Sequence, residues 1–309
     1  MNVAPRIFSA MDARLWVFLP TYNEAGNLEG IVRATAEQLE RTEPGVWRLL
    51  VVDDASPDGT GELADRLASE LNGVEVLHRP AKDGLGSAYL AGFRHALAGG
   101  AELVIVMDAD LSHDPSYLPL LIAAAADSDL VLGSRYVAGG RIADWPRLRR
   151  VLSRCGSVYA RTVLGVKVND LTSGFRCVRR RVLETVEPST LRSQGYVFNI
   201  ELTYRALLAG FTVTEVPICF RDRKVGQSKM SLPIAFEALL LVPRLRRAAR
   251  EWRTEETAGG GRRIRWRFQR RPRPKDAGFE NSPPGSGRDG GSAAGAGSAS
   301  QPDPNLRSP

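Results

Sequence analysis

"ELVIVMDADLSHDP", residues 102–115, sets a run of apolar residues directly against three carboxylates and a histidine. Ile105, Val106 and Met107 belong in an interior; Asp108 and Asp110 do not, unless they hold something. The combination reads as a buried strand whose carboxyl end delivers acids to a site. In an open, mostly parallel α/β sheet, ligands bind beyond the carboxyl ends of the strands.

Two earlier stretches end the same way. "RLWVFL", residues 14–19, reads as a short buried strand that breaks at Pro20 and leads into "PTYNE". "WRLLVVDDAS" is a second strand ending in acids and continues as "DDASPDGT". Helical patterns fall between Asn27 and Leu39, Gly61 and Leu71, and Ser87 and Ala98, with "VEVLHR" as a third strand. Strands alternating with helices at this interval imply right-handed βαβ units and a mostly parallel sheet, helices on both faces. Further on, "LVLGSRY", "SGFRCVRR" and "FTVTEVPICFRDR" read as strands. "RLRRVLSRCGSVYARTVLG" and "NIELTYRALLAG" read as helices.

The chain has 309 residues, 43% of them hydrophobic, enough for one sizeable core. Cys155, Cys177 and Cys219 are far apart, with no CxxC or His-rich spacing, which argues against a zinc site or disulfide framework. All three read as small apolar fillers in a reducing setting. The N-terminus lacks the apolar core of a signal peptide, and no stretch reaches the roughly 18–20 apolar residues of a membrane span. The longest candidate, Leu232 to Pro243, contains Glu237.

The formal net charge of +7 is unevenly spread. Residues 1–243 carry 27 Lys/Arg against 28 Asp/Glu, whereas residues 244–275 carry 13 against 3. The basicity therefore describes an attachment more than the globular body. Beyond Glu251 the composition turns Gly/Ser/Pro-rich with little apolar content, and order is expected to end there. The resulting division is an arm over 1–13, a globular α/β domain over 14–230, an amphipathic helix over 231–250 and a disordered tail over 251–309.

Each motif admits a chemical and a plainer reading. Asp108 and Asp110, placed on one side of a strand end, repel unless a cation lies between them, and hard oxygen ligands favour Mg2+ or Mn2+. Ser112 adds a hydroxyl oxygen. The plainer reading is a solvated acidic turn with Asp114 capping a helix behind Pro115. Tyr22 offers a stacking surface and Glu24 an acceptor, or Asn23 and Glu24 merely cap a helix. Asp53 and Asp54 suit the edge of a base or a ribose hydroxyl, while residues 57–59 read as a turn. "KDGLGSAYLAG" lacks the third glycine of a dinucleotide fingerprint and follows the third strand, not the first. His78, His95 and His113 read as core or surface filler. Arg135, Arg149, Arg150, Arg154, Arg223 and Lys229 suit a metal-flanked diphosphate, or are solvated charge.

Taken in order, "PTYNE", "VVDDASPDGT", "KDGLGSA", "MDADLSHDP", "GSRY", "DLTSGFR", "GYVFNIEL" and "VPICFRDRKVGQSKMS" resemble glycosyltransferase family 2. The last four resemble its polyprenol-phosphate (dolichol-phosphate) mannose synthase branch, and the likeness runs from Leu15 to Met230. The resemblance implies a GT-A fold, a nucleotide-sugar donor and a divalent metal, Mg2+ or Mn2+. It implies that Pro20, Tyr22, Glu24, Val52, Asp53 and Asp54 hold the donor's base and ribose. Asp108, Asp110 and Ser112 would hold metal or diphosphate, with Ala109 lining the site. Arg135, Arg149 and Ser153 would bind phosphates of donor or acceptor, and Arg223 and Lys229 would close over the donor. Asp110, Arg135, Arg223 and Lys229 would serve catalysis.

The implied reaction moves mannose from GDP-mannose to a polyprenyl monophosphate with inversion. A lipid phosphate is already anionic and attacks without a strong general base, which suits a site with no well-placed histidine. The enzyme is expected on the cytoplasmic face of the membrane as a peripheral protein. "MSLPIAFEALLLVPRLRRAAR" and the basic segment would meet lipid headgroups, or a partner protein supplies the anchor. Nucleic acid is not an expected partner. Two rivals stand beside this reading. One is a same-fold glucosyl- or N-acetylhexosaminyltransferase; the other is a non-catalytic subunit that binds nucleotide-sugar.

Overall fold

In the computed structural model, which describes residues 14–191, 193, 195–222, 232–249, 252–256 and 262–266, the first strand sets the layers of the fold. Along β1 (Leu15–Thr21), side chains alternate between two faces, and both faces are buried. Leu15, Val17 and Leu19 join one hydrophobic core; Trp16 and Phe18 join the other. The same alternation recurs in β2 (Trp47–Asp53) and β4 (Leu103–Val106).

The remaining strands of the main sheet are β3 (Val74–His78), β5 (Leu130–Ser134), β7 (Arg176–Arg179) and β8 (Val213–Pro217). Their order is β3-β2-β1-β4-β7-β5-β8. All run parallel to their neighbours except β7, which is antiparallel to β4 and β5. A minor parallel pair, β6 (Arg141–Ile142) with β9 (Cys219–Phe220), lies apart from the main sheet.

Helices α1 (Ala25–Thr42), α2 (Thr60–Glu70) and α4 (Leu118–Ala124) cover one face. The other is covered by α3 (Gly84–Ala98), α5 (Arg147–Leu164), α6 (Arg180–Val186), α7 (Gly195–Leu208) and α8 (Leu232–Ala248). α3 lies close on β1 because Gly92 has no side chain; a Cβ there would meet the Phe18 ring at 2.8 Å.

Several expectations shift. The fourth strand stops at Val106, so Asp108 and Asp110 sit in the turn beyond it and strand alternation does not orient them. Asp108-Ala109-Asp110 is shaped by local hydrogen bonds instead. The expected last strand breaks at Ile218 into β8 and β9, and α6 is an added element. α8 packs on α5 and α7 and places Val242 and Leu245 in the core, so it is not wholly an interfacial helix. Cys177 and Cys219 are buried as expected, whereas Cys155 is exposed.

Order also extends past Glu251. Strands β10 (Trp252–Glu256) and β11 (Arg262–Trp266) pair antiparallel, with Glu255 opposite Arg263, Glu256 opposite Arg262 and Trp252 opposite Trp266. Composition alone does not reveal such a ladder. The arm over 1–13 and the rest of the tail lie outside the described residues.

Candidate active site

The loops after β1 and β2 are stitched together backbone to side chain. The N–H groups of Asn23, Glu24 and Ala25 donate in turn to Ser56 Oγ (3.1 Å), Thr60 Oγ1 (2.9 Å) and Asp58 Oδ2 (3.2 Å). Residues 57–59 do form a turn, and its carboxylate caps the start of α1. Asp53 Oδ1 accepts from Ser56 Oγ at 2.5 Å, and Glu24 Oε2 accepts from Asn27 Nδ2 at 2.9 Å. Pro20 and Val52 face each other as register partners on β1 and β2.

Asp54 donates its backbone N–H to Thr21 O at 3.1 Å and pairs through its carboxylate with Arg79. Burial raises the Asp54 pKa above the ordinary carboxylate value, and Arg79 only partly offsets it. Lys82 holds its Nζ 3.7 Å from the centre of the Tyr22 ring, a cation–π contact. Tyr22, Asp54, Arg79 and Lys82 thus form one cluster at the ends of three adjacent strands. It pairs an aromatic face with two cations and suits a planar base carrying phosphates.

One strand along, the turn after β4 is built around a histidine. The backbone N–H of Asp108 donates to His113 Nδ1 at 3.0 Å, which places the ring's proton on Nε2. Burial holds the His113 pKa below the usual histidine range, against the pull of Asp108 and Asp110. The ring stacks on Phe175 (centroids 5.0 Å apart) and meets the edge of Phe220 at 5.4 Å. His113 is therefore scaffold. His78 and His95 have carboxylate partners, Asp65 at 2.9 Å and Glu75 at 3.0 Å, away from this turn.

Asp110 is buried, and its Oδ1 accepts both the N–H (3.1 Å) and the hydroxyl (2.5 Å) of Ser112. Ala109 is buried between the two acids. The Asp108 side chain remains 34% accessible. Gly174 comes close behind it, where a Cβ would lie 3.4 Å from both carboxylate oxygens. Asp114 also caps, accepting from Ser116 N at 2.9 Å, so the acidic-turn reading holds for that residue. Asp108 and Asp110 are two hard oxygen donors in a rigid turn. That set fits Mg2+ or Mn2+, which take one or two carboxylates and complete their shell with phosphate and water. Among the described residues, no group of three or more His, Cys, Asp or Glu side chains is placed to hold a metal.

The basic groups divide. Arg135 forms a two-pronged pair with the fully buried Asp170, Nε to Oδ2 and Nη2 to Oδ1, both at 2.7 Å. Its Nη2 also donates to Thr172 Oγ1, and its guanidinium lies over Phe220. Burial raises the Asp170 carboxyl, but Arg135's charge and hydrogen bonds outweigh it and hold the pKa below the ordinary range. Arg149 stacks on Trp145 at 3.9 Å and donates to Asp222 at 3.1 Å. Ser153 Oγ accepts from Tyr136 OH at 2.6 Å. Arg223 and Lys229 lie outside the described residues.

"DLTSGFR" and "GYVFNIEL" supply internal bracing. Arg176 is fully buried and donates to the carbonyl oxygens of Asn199 and Ser173. Burial lowers its pKa to about 10. Glu201 and Arg205 form a buried pair at 2.6 Å, and Glu201 Oε2 also receives Ser193 N and Oγ.

These features, acids beyond β4 and an aromatic and cationic cluster beyond β1–β3, lie within the span matched by the model of "Glycosyl transferase family 2", residues 16–187. The chain belongs to glycosyl transferase family 2. It is 44% identical over 237 residues to the undecaprenyl-phosphate mannosyltransferase of Micrococcus luteus, covering 77% of this chain and 96% of that one. It is 49% identical over 231 residues to the polyprenol monophosphomannose synthase of Mycolicibacterium smegmatis, covering 74% and 85%.

Solved glycosyltransferase structures share the fold. Mannosyl-3-phosphoglycerate synthase from Rubrobacter xylanophilus superposes with a TM-score of 0.57 at 16% identity, covering 81% of this chain and 83% of that one. Glucosyl-3-phosphoglycerate synthase from Mycobacterium tuberculosis, solved with Mn2+, UDP and glucosyl-3-phosphoglycerate, gives 0.51 at 19% identity, covering 82% and 87%. The GT-A architecture of this glycosyltransferase is thereby established.

Sequence reasoning missed Arg79, Lys82, Trp145 and Asp222. Arg79 and Lys82 lie just past the third strand's carboxyl end, beside a stretch whose glycines dominate its pattern. Trp145 and Asp222 are recognisable only through their shared partner, Arg149.

Proposed function

We propose that this glycosyltransferase moves mannose from GDP-mannose to a polyprenyl monophosphate, with inversion, giving a polyprenyl β-mannosyl phosphate. The observation that supports it most is the identity of 44% and 49% to two polyprenyl-phosphate mannosyltransferases, spread over 77% and 74% of the chain. The acid turn, the Tyr22–Lys82 cluster and the DLTSGFR bracing all begin within the family match, residues 16–187.

Tyr22, Lys82, Asp53 and Asp54 take the donor's base and ribose, with Pro20, Val52 and Glu24 shaping the floor. Asp108 and Asp110 hold a divalent cation, Mg2+ or Mn2+, and Ser112 acts by fixing Asp110. When bound, that cation neutralises charge gathering on the departing nucleoside diphosphate. Arg223 and Lys229 add positive charge at the same place. Arg149 and Ser153 stand at the acceptor phosphate, whose anionic oxygen attacks the anomeric carbon while the bond to the diphosphate breaks. The attack needs no proton acceptor, consistent with His113 being buried as scaffold. Arg135 supports this region by holding Asp170.

The protein works at a membrane surface on the side where nucleotide-sugars are made. No described helix is long and apolar enough to cross a membrane. The deciding experiment is product analysis. Purified protein, GDP-mannose and polyprenyl phosphate should yield a lipid heavier by one hexose, with a β linkage. An α-linked product would contradict inversion, and no hexosyl lipid would contradict the reading.

A further inference from the structure

Among the described residues, five that are not glycine have a left-handed backbone: Asn23, Ala55, Leu111, Asp144 and Glu187, with φ between 48° and 63°. Three of them lie beyond the ends of β1, β2 and β4, the neighbouring strands that carry the site. For a residue with a Cβ this conformation is unfavourable, because the Cβ crowds the following carbonyl oxygen. Asparagine and aspartate ease it with a short polar side chain that bonds locally, which accounts for Asn23 and Asp144. Glu187 ends α6, where helices commonly turn left-handed. Neither reason applies to Ala55 or Leu111.

The two share their surroundings. Ala55 (φ 54°) directly precedes Ser56, whose N–H and hydroxyl donate to Asp53 at 3.3 and 2.5 Å. Leu111 (φ 63°) directly precedes Ser112, whose N–H and hydroxyl donate to Asp110 at 3.1 and 2.5 Å. In both places the left-handed residue turns the chain back, so that one serine closes on an upstream carboxylate with two bonds. The same device stands on either side of β1. Packing does not explain it at Ala55, which is exposed, and Leu111 is only half-buried at the edge of the core.

We propose that Ala55 and Leu111 are positioning residues that keep Asp53 and Asp110 aimed before any ligand arrives. Their Cβ confines φ to the narrow left-handed well, roughly +50° to +70°, where a glycine moves freely between both signs. Each turn is thereby held in the shape that lets both serine bonds close, and those bonds offset the strain. A glycine at either place would relieve the strain and loosen the acid. Their role toward donor and metal rests on the reading of Asp53 and Asp110 above; the shape of the turns does not.

The test sets backbone freedom against side-chain loss. Ala55→Gly should leave the melting temperature unchanged or raise it by up to about 3 °C, whereas glycine for alanine at an ordinary φ lowers it. The same variant should speed amide exchange at Ser56 about fivefold or more and weaken GDP binding with Mn2+, read by calorimetry, about three- to tenfold. Ala55→Asn tolerates the conformation and should bind GDP within about twofold of wild type. At position 111, Leu111→Ala removes the side chain but keeps the backbone restriction, so it is the reference for Leu111→Gly. The glycine variant should melt no lower than the alanine one and exchange faster at Ser112. It should also need about three- to tenfold more Mn2+ for half-saturation.

Ala55→Gly melting more than about 2 °C below wild type would show that Ala55 carries no strain and would overturn the proposal. So would glycine variants that match their references in exchange at Ser56 and Ser112 and in binding of GDP and Mn2+. Wild type that binds no GDP in the presence of Mn2+ would count against the donor reading, while amide exchange would still decide the turns.

Discussion

The backbone N–H of Asp108 points into the ring of His113, 3.0 Å from Nδ1, and the ring is clamped between Phe175 and Phe220. A buried imidazole thereby sets the path of the acid turn without touching the reacting groups. Replacing it with alanine leaves a cavity and an unpaired N–H. His113→Ala should cost about 2–4 kcal/mol of stability and raise the metal concentration needed for half-maximal activity. Denaturant melts and a Mn2+ titration of activity measure the two effects. Unchanged metal demand would show that the turn holds its shape without the ring.

Arg135 is braced against Asp170 by two parallel hydrogen bonds. Removing it strands a carboxylate that is wholly buried. Arg135→Ala should therefore lower stability by about 3–5 kcal/mol. Arg135→Lys should recover little, because an ammonium cannot make both bonds at once. A normal melting temperature combined with lost activity would instead place Arg135 on the substrate.

Asp170 and Asp129 both have pKa values held below the ordinary carboxylate range. For Asp170, burial works the other way but Arg135 prevails; for Asp129, burial is outweighed by bonds from Thr212 and Arg181. A carboxyl with a depressed folded pKa stabilises the fold above its unfolded value, about 3.9, and loses that contribution as pH falls through the folded value. Unfolding free energy should begin to decline below about pH 6.5, where the unfolded chain's His113 takes up a proton that the buried ring resists, and fall steeply below about 4. Asp129→Asn should flatten that fall, measured by urea titration at each pH.

Lys82 lies over the Tyr22 ring, where a stacked base and its phosphates would displace or join it. Lys82→Ala should raise KM for the nucleotide-sugar about three- to tenfold and leave kcat within about twofold, as loss of one exposed charged contact would. A fall in kcat at constant KM would place Lys82 at the leaving group instead.

The sheet was legible because three strand ends carry acids or amides after apolar runs, and those strands, β2, β1 and β4, are neighbours in the sheet. Asp108 and Asp110 were legible for the same reason, although a turn and not a strand positions them. The pairing of Arg135 with Asp170 was not legible, because the partner lies 35 residues away in sequence and nothing local announces it. Arg79 was invisible until Asp54 was seen beside it. Helix α5 has apolar residues at the spacing of a core-facing helix, and only burial in the folded chain reveals that Leu148, Val151 and Leu152 stay outside.

Donor choice tests the central claim most directly. Purified full-length protein is given polyprenyl phosphate in vesicles with labelled GDP-mannose, UDP-glucose or UDP-N-acetylglucosamine, with Mn2+ or with EDTA, and lipid-phase label is counted. Label should enter the lipid phase from GDP-mannose alone, disappear with EDTA, and be at least about a hundredfold lower in Asp110→Ala. Label from UDP-glucose and none from GDP-mannose, or transfer undiminished by EDTA, would contradict the account.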